Sequence, residues 1–146
     1  MHPQVRIINE GVGPDPCDQV AVADKLSRLL DQGYTALKMK VGLADTREDL
    51  RRVEAVRQAI PDDVLLMVDA NQKWDLQQAR LVLRLLAELD VSWVEEPMHP
   101  DDIAAHAALH RRAELPIALG DRPDWSEVEE HAVRFIRLGL AVETTT

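Results

Sequence analysis

Val91-Ser-Trp-Val-Glu-Glu-Pro97 is a short apolar run that ends in two carboxylates and is stopped by a proline. Carboxylates are seldom buried without a partner, so a strand that delivers them at its tip points to a cation there. The pattern recurs on both sides, in Leu65-Leu-Met-Val-Asp-Ala-Asn71 upstream and Pro116-Ile-Ala-Leu-Gly-Asp121 downstream. Asp69 and Glu95 lie 26 residues apart, and so do Glu95 and Asp121. An equal interval between acid-tipped strands bears on fold and function together.

Outward from that stretch, the chain alternates between two periods. Gln4 to Ile8 alternates polar and apolar residues as a strand does, and Gly11 to Pro16 reads as a loop. Val20, Ala23, Leu26, Leu29 and Leu30 recur at helical spacing, with Gly33 placed to stop that helix. Thr35 to Val41 is the next strand. Asp45 or Thr46 can cap a helix carrying Leu50, Val53, Val56 and Ile60, which Pro61 ends. Val64 to Asp69 is a strand, and Asp75 caps a helix through Ala79, Val82, Leu83, Leu86 and Leu89. After Val91 to Glu95 come a helix over about 101–112 and a strand from Ile117 to Gly120. Asp124 or Ser126 then begins a short helix with Val128 and Val133, and Phe135 to Leu138 reads as a sixth strand.

Strand and helix repeat about every 25–30 residues, which means βαβ units and a parallel sheet. A doubly wound nucleotide-binding sheet wants G-x-G-x-x-G after its first strand, and that motif is absent. A (β/α)8 barrel instead places its chemistry at the C-terminal tips of successive strands, where these acids fall. The fold expected is therefore α/β, a partial (β/α)8 barrel of about five to six units, since a complete one takes ~250 residues. Open sheet edges would favour association of copies.

The composition narrows the function. With 46% apolar residues among 146, the chain has the material for one packed domain. Seventeen Lys and Arg stand against 26 Asp and Glu, a net charge of −9, which argues against a nucleic-acid surface. The single cysteine, Cys17, excludes an internal disulfide and a cysteine-rich zinc site. With neither a signal-peptide pattern nor an apolar run of membrane-spanning length, a cytoplasmic protein is expected.

The candidate chemistry lies at the strand tips. Lys38 and Lys40 are i and i+2 and share one face of their strand, while Leu37, Met39 and Val41 share the other. Neighbouring ammonium groups repel, which favours the neutral amine that a general base must be. Asp69 and Asn71 likewise share a face at the next tip. Glu95 shares a face with Trp93, and Glu96 points away, as a supporting residue rather than a ligand. Asp69, Glu95 and Asp121 together make an oxygen-rich site with open positions, suited to Mg²⁺ rather than zinc. His99, His106, His110, His131, Trp74, Trp125 and Cys17 are assigned no chemistry.

In Lys38-Met-Lys40, Val68-Asp-Ala-Asn71, Val94-Glu-Glu-Pro97 and Gly120-Asp121, the chain resembles the enolase superfamily, in its mandelate racemase/muconate lactonizing enzyme branch. The resemblance runs from about Gln4 to Leu138. It implies that Lys40 removes the proton α to a substrate carboxylate and that Lys38 tunes this base and contacts the carboxylate. It also implies that Asp69, Glu95 and Asp121 hold Mg²⁺, with Asn71 touching substrate and Glu96 behind the ligands. The activity implied is that of a Mg²⁺-dependent lyase dehydrating a sugar acid, with racemisation or cycloisomerisation next. Many members carry Glu where Asp121 stands. Residues 1–146 are expected to be part of the family's barrel domain, without its N-terminal capping domain or last strands. One alternative is a non-catalytic fragment that keeps the metal ligands, and another is a self-associating half-barrel in which two copies cover each other's open edges.

Overall fold

The computed structural model describes residues 5–8 and 16–119 of the chain, with the backbone alone described for 5–8 and 16–21. Asp121, the helix expected from Asp124 or Ser126 and the strand expected at Phe135 to Leu138 lie outside these residues. The order is β1 (Val5–Ile8), α1 (Pro16–Asp31), β2 (Ala36–Lys40), α2 (Thr46–Ala59), β3 (Leu65–Asp69), α3 (Leu76–Glu88), β4 (Trp93–Glu95), α4 (Ile103–His110) and β5 (Ile117–Ala118). Every strand pairs in parallel with the next, so the sheet runs β1-β2-β3-β4-β5 without reversal. A doubly wound sheet changes direction at a switch point, whereas a barrel adds strands in sequence order.

Local chemistry sets the boundaries. Asp45, Asp75 and Asp102 cap α2, α3 and α4, accepting from the backbone N–H of Arg47, Gln78 and Ala105 at 2.9, 2.8 and 3.0 Å. The helix expected around Val20 begins earlier, at Pro16, because proline's fixed φ and missing N–H suit the first helical position. Gly33, at φ +86°, closes α1 with its N–H donating to Leu30 O. β4 starts at Trp93 rather than Val91, because the Val91 N–H turns back to Leu86 O at the end of α3. Arg57 seals the end of α2 by donating to Val64 O at 3.0 Å and to the Pro61 carbonyl.

The two faces of the sheet differ. Leu37, Met39, Leu66, Val68, Val94 and Ile117 pack with Leu26, Leu29, Val53, Val56, Val82, Leu83, Leu86 and Leu109 from the helices. Ala36, Met67 and Trp93 form a separate cluster on the opposite face, joined by Ala118. The alternation separating these sets is the period of two along each strand. Helices thus cover one face, and the other carries the lysines and acids of the strand tips.

Candidate active site

Register brings Lys40, Asp69 and Glu95 of the predicted residues together. Lys40 pairs with Asp69 across β2 and β3, Asp69 with Glu95 across β3 and β4, and Glu95 with Ala118 across β4 and β5. One level below, Lys38 pairs with Met67, and Met67 with Trp93. Since register partners point to the same side, the C-terminal rim presents Lys40, Asp69 and Glu95 in one row.

Each lysine engages one carboxylate. Lys40 Nζ donates to Asp69 Oδ2 and, at 2.9 Å, to Asn71 Oδ1. Lys38 reaches over β3 to donate to Glu95 Oε2. Its ammonium also lies 5.9 Å from the centre of the Trp93 ring, a cation–π contact that a buried lysine can use. Thus Lys38 is held deep in the face, while the Lys40 side chain remains 36% exposed at the rim. Asp69 is buried and also accepts from the Asn71 N–H at 3.0 Å.

The loops beyond these tips are zipped together. Ala70 N donates to Glu95 O, Gln72 N to Glu96 O and Trp74 N to Pro97 O, at 3.0, 2.8 and 3.1 Å. Asn71, Gln72 and Glu96 adopt positive φ of 48°, 64° and 44°. Such conformations cost non-glycine residues energy and cluster at functional sites. Here they turn the chain sharply enough for Asn71 to reach Lys40. Glu96 leaves the strand row as expected, and its Oε2 accepts from Gln72 Nε2 at 3.2 Å.

The donor set is chemically coherent. Asp69 and Glu95 offer hard oxygen donors from adjacent strand ends, with no sulfur or imidazole in their row, which suits a cation such as Mg²⁺. Among the described residues, no group of three His, Cys, Asp or Glu side chains is placed to hold a metal. Asp121, the third predicted ligand, lies outside them.

Two residues next to this row were not singled out by sequence. Asp49 and Arg52 are buried in α2 and bond the chain at and just beyond Lys40. Their signal was positional: 49, 52, 53 and 56 fall on one helical stripe, so two charged residues occupy core-facing places beside Val53 and Val56.

Residues 21–139 match the family described as enolase C-terminal domain-like. The chain belongs to that family. L-talarate/galactarate dehydratase of Salmonella typhimurium is 42% identical over 106 residues, covering 73% of this chain and 26% of that protein. A racemase from Streptomyces coelicolor A3(2) with bound magnesium superimposes with TM-score 0.70 at 38% identity, over 82% of this chain and 32% of that one. L-talarate dehydratase from Polaromonas sp. JS666, complexed with Mg and L-glucarate, gives TM-score 0.69 at 36% identity, over 83% and 34%.

The enolase-type chain thus spans about a quarter of the curated dehydratase it matches and about a third of these solved structures. Its relatives in the superfamily comprise dehydratases, cycloisomerases and racemases. The five parallel strands correspond to part of the (β/α)8 barrel of these neighbours. Among the described residues, no helix is long and apolar enough to cross a membrane.

Proposed function

We propose that this chain supplies the base and metal-binding strand tips of an enzyme that removes the proton α to the carboxylate of a sugar acid. The observation that carries this reading is the rim row itself, in which Lys40, held by Asp69 and Asn71, stands in register with Asp69 and Glu95. In its neutral amine form, Lys40 Nζ takes the α-proton and becomes the ammonium, and Asn71 holds the amine in place and meets the substrate. Lys38, pinned by Glu95 and lying against Trp93, presents a fixed positive charge to the substrate carboxylate. Glu96 steadies the loop after β3 through Gln72.

Asp69, Glu95 and Asp121 would hold Mg²⁺, which supplies positive charge where negative charge develops on the substrate. Dehydration of a sugar acid is the preferred outcome, supported by similarity to the talarate/galactarate dehydratase. Racemisation begins with the same proton removal and comes second, supported by similarity to the racemases.

The test is deuterium incorporation at the α-carbon of galactarate and related sugar acids in D₂O. Exchange should require Mg²⁺ and disappear in Lys40→Ala. Exchange that persists in Lys40→Ala would remove Lys40 from the role of base.

A further inference from the structure

Asp49 and Arg52 form a buried ion pair of the kind that stability alone does not explain. Arg52 Nη1 donates to Asp49 Oδ1 at 2.8 Å, with side chains only 7% and 3% exposed. Burying two charges has a desolvation cost that their attraction often only balances, and apolar residues of similar volume commonly serve stability as well or better. What the charges add is direction, and among the described residues the pair's remaining side-chain bonds go to one place. Asp49 Oδ2 accepts from the N–H groups of Gly42 and Leu43 at 2.7 and 2.8 Å. Arg52 Nη2 donates to the backbone carbonyl of Lys40 at 3.2 Å.

The segment so gripped cannot retreat on its other side. A Cβ on Gly42 would lie 2.8 Å from both Ala70 O and Lys73 Cγ, so the turn after Lys40 already abuts the loop after Asp69. Val41 N–H is meanwhile committed to Asp69 O at 2.9 Å. Helix α2 therefore holds the tip of β2 against the tip of β3 from the helix-covered face of the sheet.

We infer that Asp49 and Arg52 are positioning residues that fix the Lys40 carbonyl and the following turn, so that the Lys40 amine meets Asp69 and Asn71. This rests on the proposed reading of Lys40 as the base. The pair itself touches no reacting group. Its effect passes through the backbone, because rotation of the Lys40 peptide plane swings the root of a long side chain whose far end must stay in register.

Limited acylation of the full chain, read lysine by lysine by mass spectrometry without substrate or metal, tests this directly. R52K keeps a cation beside Asp49 but lacks the fork needed to reach Asp49 and the Lys40 carbonyl together. D49N/R52M removes both charges and avoids leaving one buried and unpaired. Lys40 labelling should rise by about 2- to 5-fold, the equivalent of releasing one exposed ion pair. Lys38, on the same strand but not bonded to Arg52, and Lys25, on α1, should stay unchanged as internal references.

A Lys40 rate unchanged in a folded variant would overturn the inference, as would equal rises at all three lysines. Loss of the fold in both variants would also overturn it, since the pair would then be simply structural. Exchange chemistry fails separately: Lys40→Ala that retains α-proton exchange would sink the proposed base while leaving the labelling result standing.

Discussion

Lys40 and Asp69 are register partners on β2 and β3, and the Lys40 ammonium donates to the Asp69 carboxylate. The partners are unequal: the Asp69 side chain is 8% exposed and that of Lys40 is 36% exposed. Removing Lys40 strands a buried carboxylate, whereas removing Asp69 frees an ammonium that can reach water. In metal-free urea denaturation, Lys40→Met should therefore cost about 1–3 kcal/mol. Lys40→Met combined with Asp69→Asn should recover part of that loss, with a coupling of about 1 kcal/mol. Strict additivity would show that the pair does not contribute to stability.

On the proposed reading, Mg²⁺ would share the same carboxylates. An ion that binds the folded chain through Asp69 and Glu95 raises its stability by mass action, by about 2.7 kcal/mol when present at 100 times its dissociation constant. Thermal denaturation with rising Mg²⁺ should show that increase in the parent chain and little of it in Glu95→Gln. The Lys40–Asp69 coupling should shrink over the same range, because ammonium and cation compete for Asp69. A melting temperature indifferent to Mg²⁺ would count against the metal site.

Two glycines with similar backbones should respond differently to alanine. Gly33 and Gly42 have φ of +86° and +103°, so either substitution is strained. Nothing lies within 4 Å of a Cβ at Gly33, whereas one at Gly42 meets the backbone oxygen of Ala70 at 2.8 Å. Gly33→Ala should cost about 1 kcal/mol from conformation alone. Gly42→Ala adds displacement of the loop after β3 and should cost about 2 kcal/mol more, in the range of overpacking. Chemical denaturation of both variants decides this, and equal losses would mean that the two loops are not in close contact.

The strand tips were legible in sequence because a parallel sheet covered by helices writes itself as apolar runs, and an acid ending such a run stands out. Asp75 was legible as a cap for the same local reason, since it precedes a helical apolar stripe. Lys38 and Lys40 could be placed on one face by counting in twos, but their partners could not be assigned. Lys38 passes over β3 to Glu95 while Lys40 takes the adjacent Asp69, because the β3 register partner of Lys38 is the uncharged Met67. Asp49 and Arg52 escaped notice because a charged pair three apart on a helix usually faces water. Only the tertiary placement of that stripe turns them inward. Similarly, Gln72 became part of the site only when its N–H met Glu96 O across two loops.

His106 gives the chain a response to acid that is distinct from the strand tips. It is fully buried on α4. Burial pushes its pKa below the ordinary 6.5, partly opposed by the backbone at His99 and Met98 and by the charge of Asp102. His110 is also pushed down, first by burial and then by His106. Unfolding returns both imidazoles to their ordinary values, so in the interval below 6.5 the unfolded chain binds more protons than the folded one. By linkage, the stability these histidines confer is complete above that value and is lost as pH falls through it toward the lower folded values. Each can contribute a slope of at most about 1.4 kcal/mol per pH unit. The urea midpoint should therefore drop as pH is lowered from about 7.5 to about 5.5. His106→Gln should flatten that drop, leaving the part due to His110. A parent profile already flat across the window, or an undiminished slope in His106→Gln, would show that His106 is not held neutral by its burial.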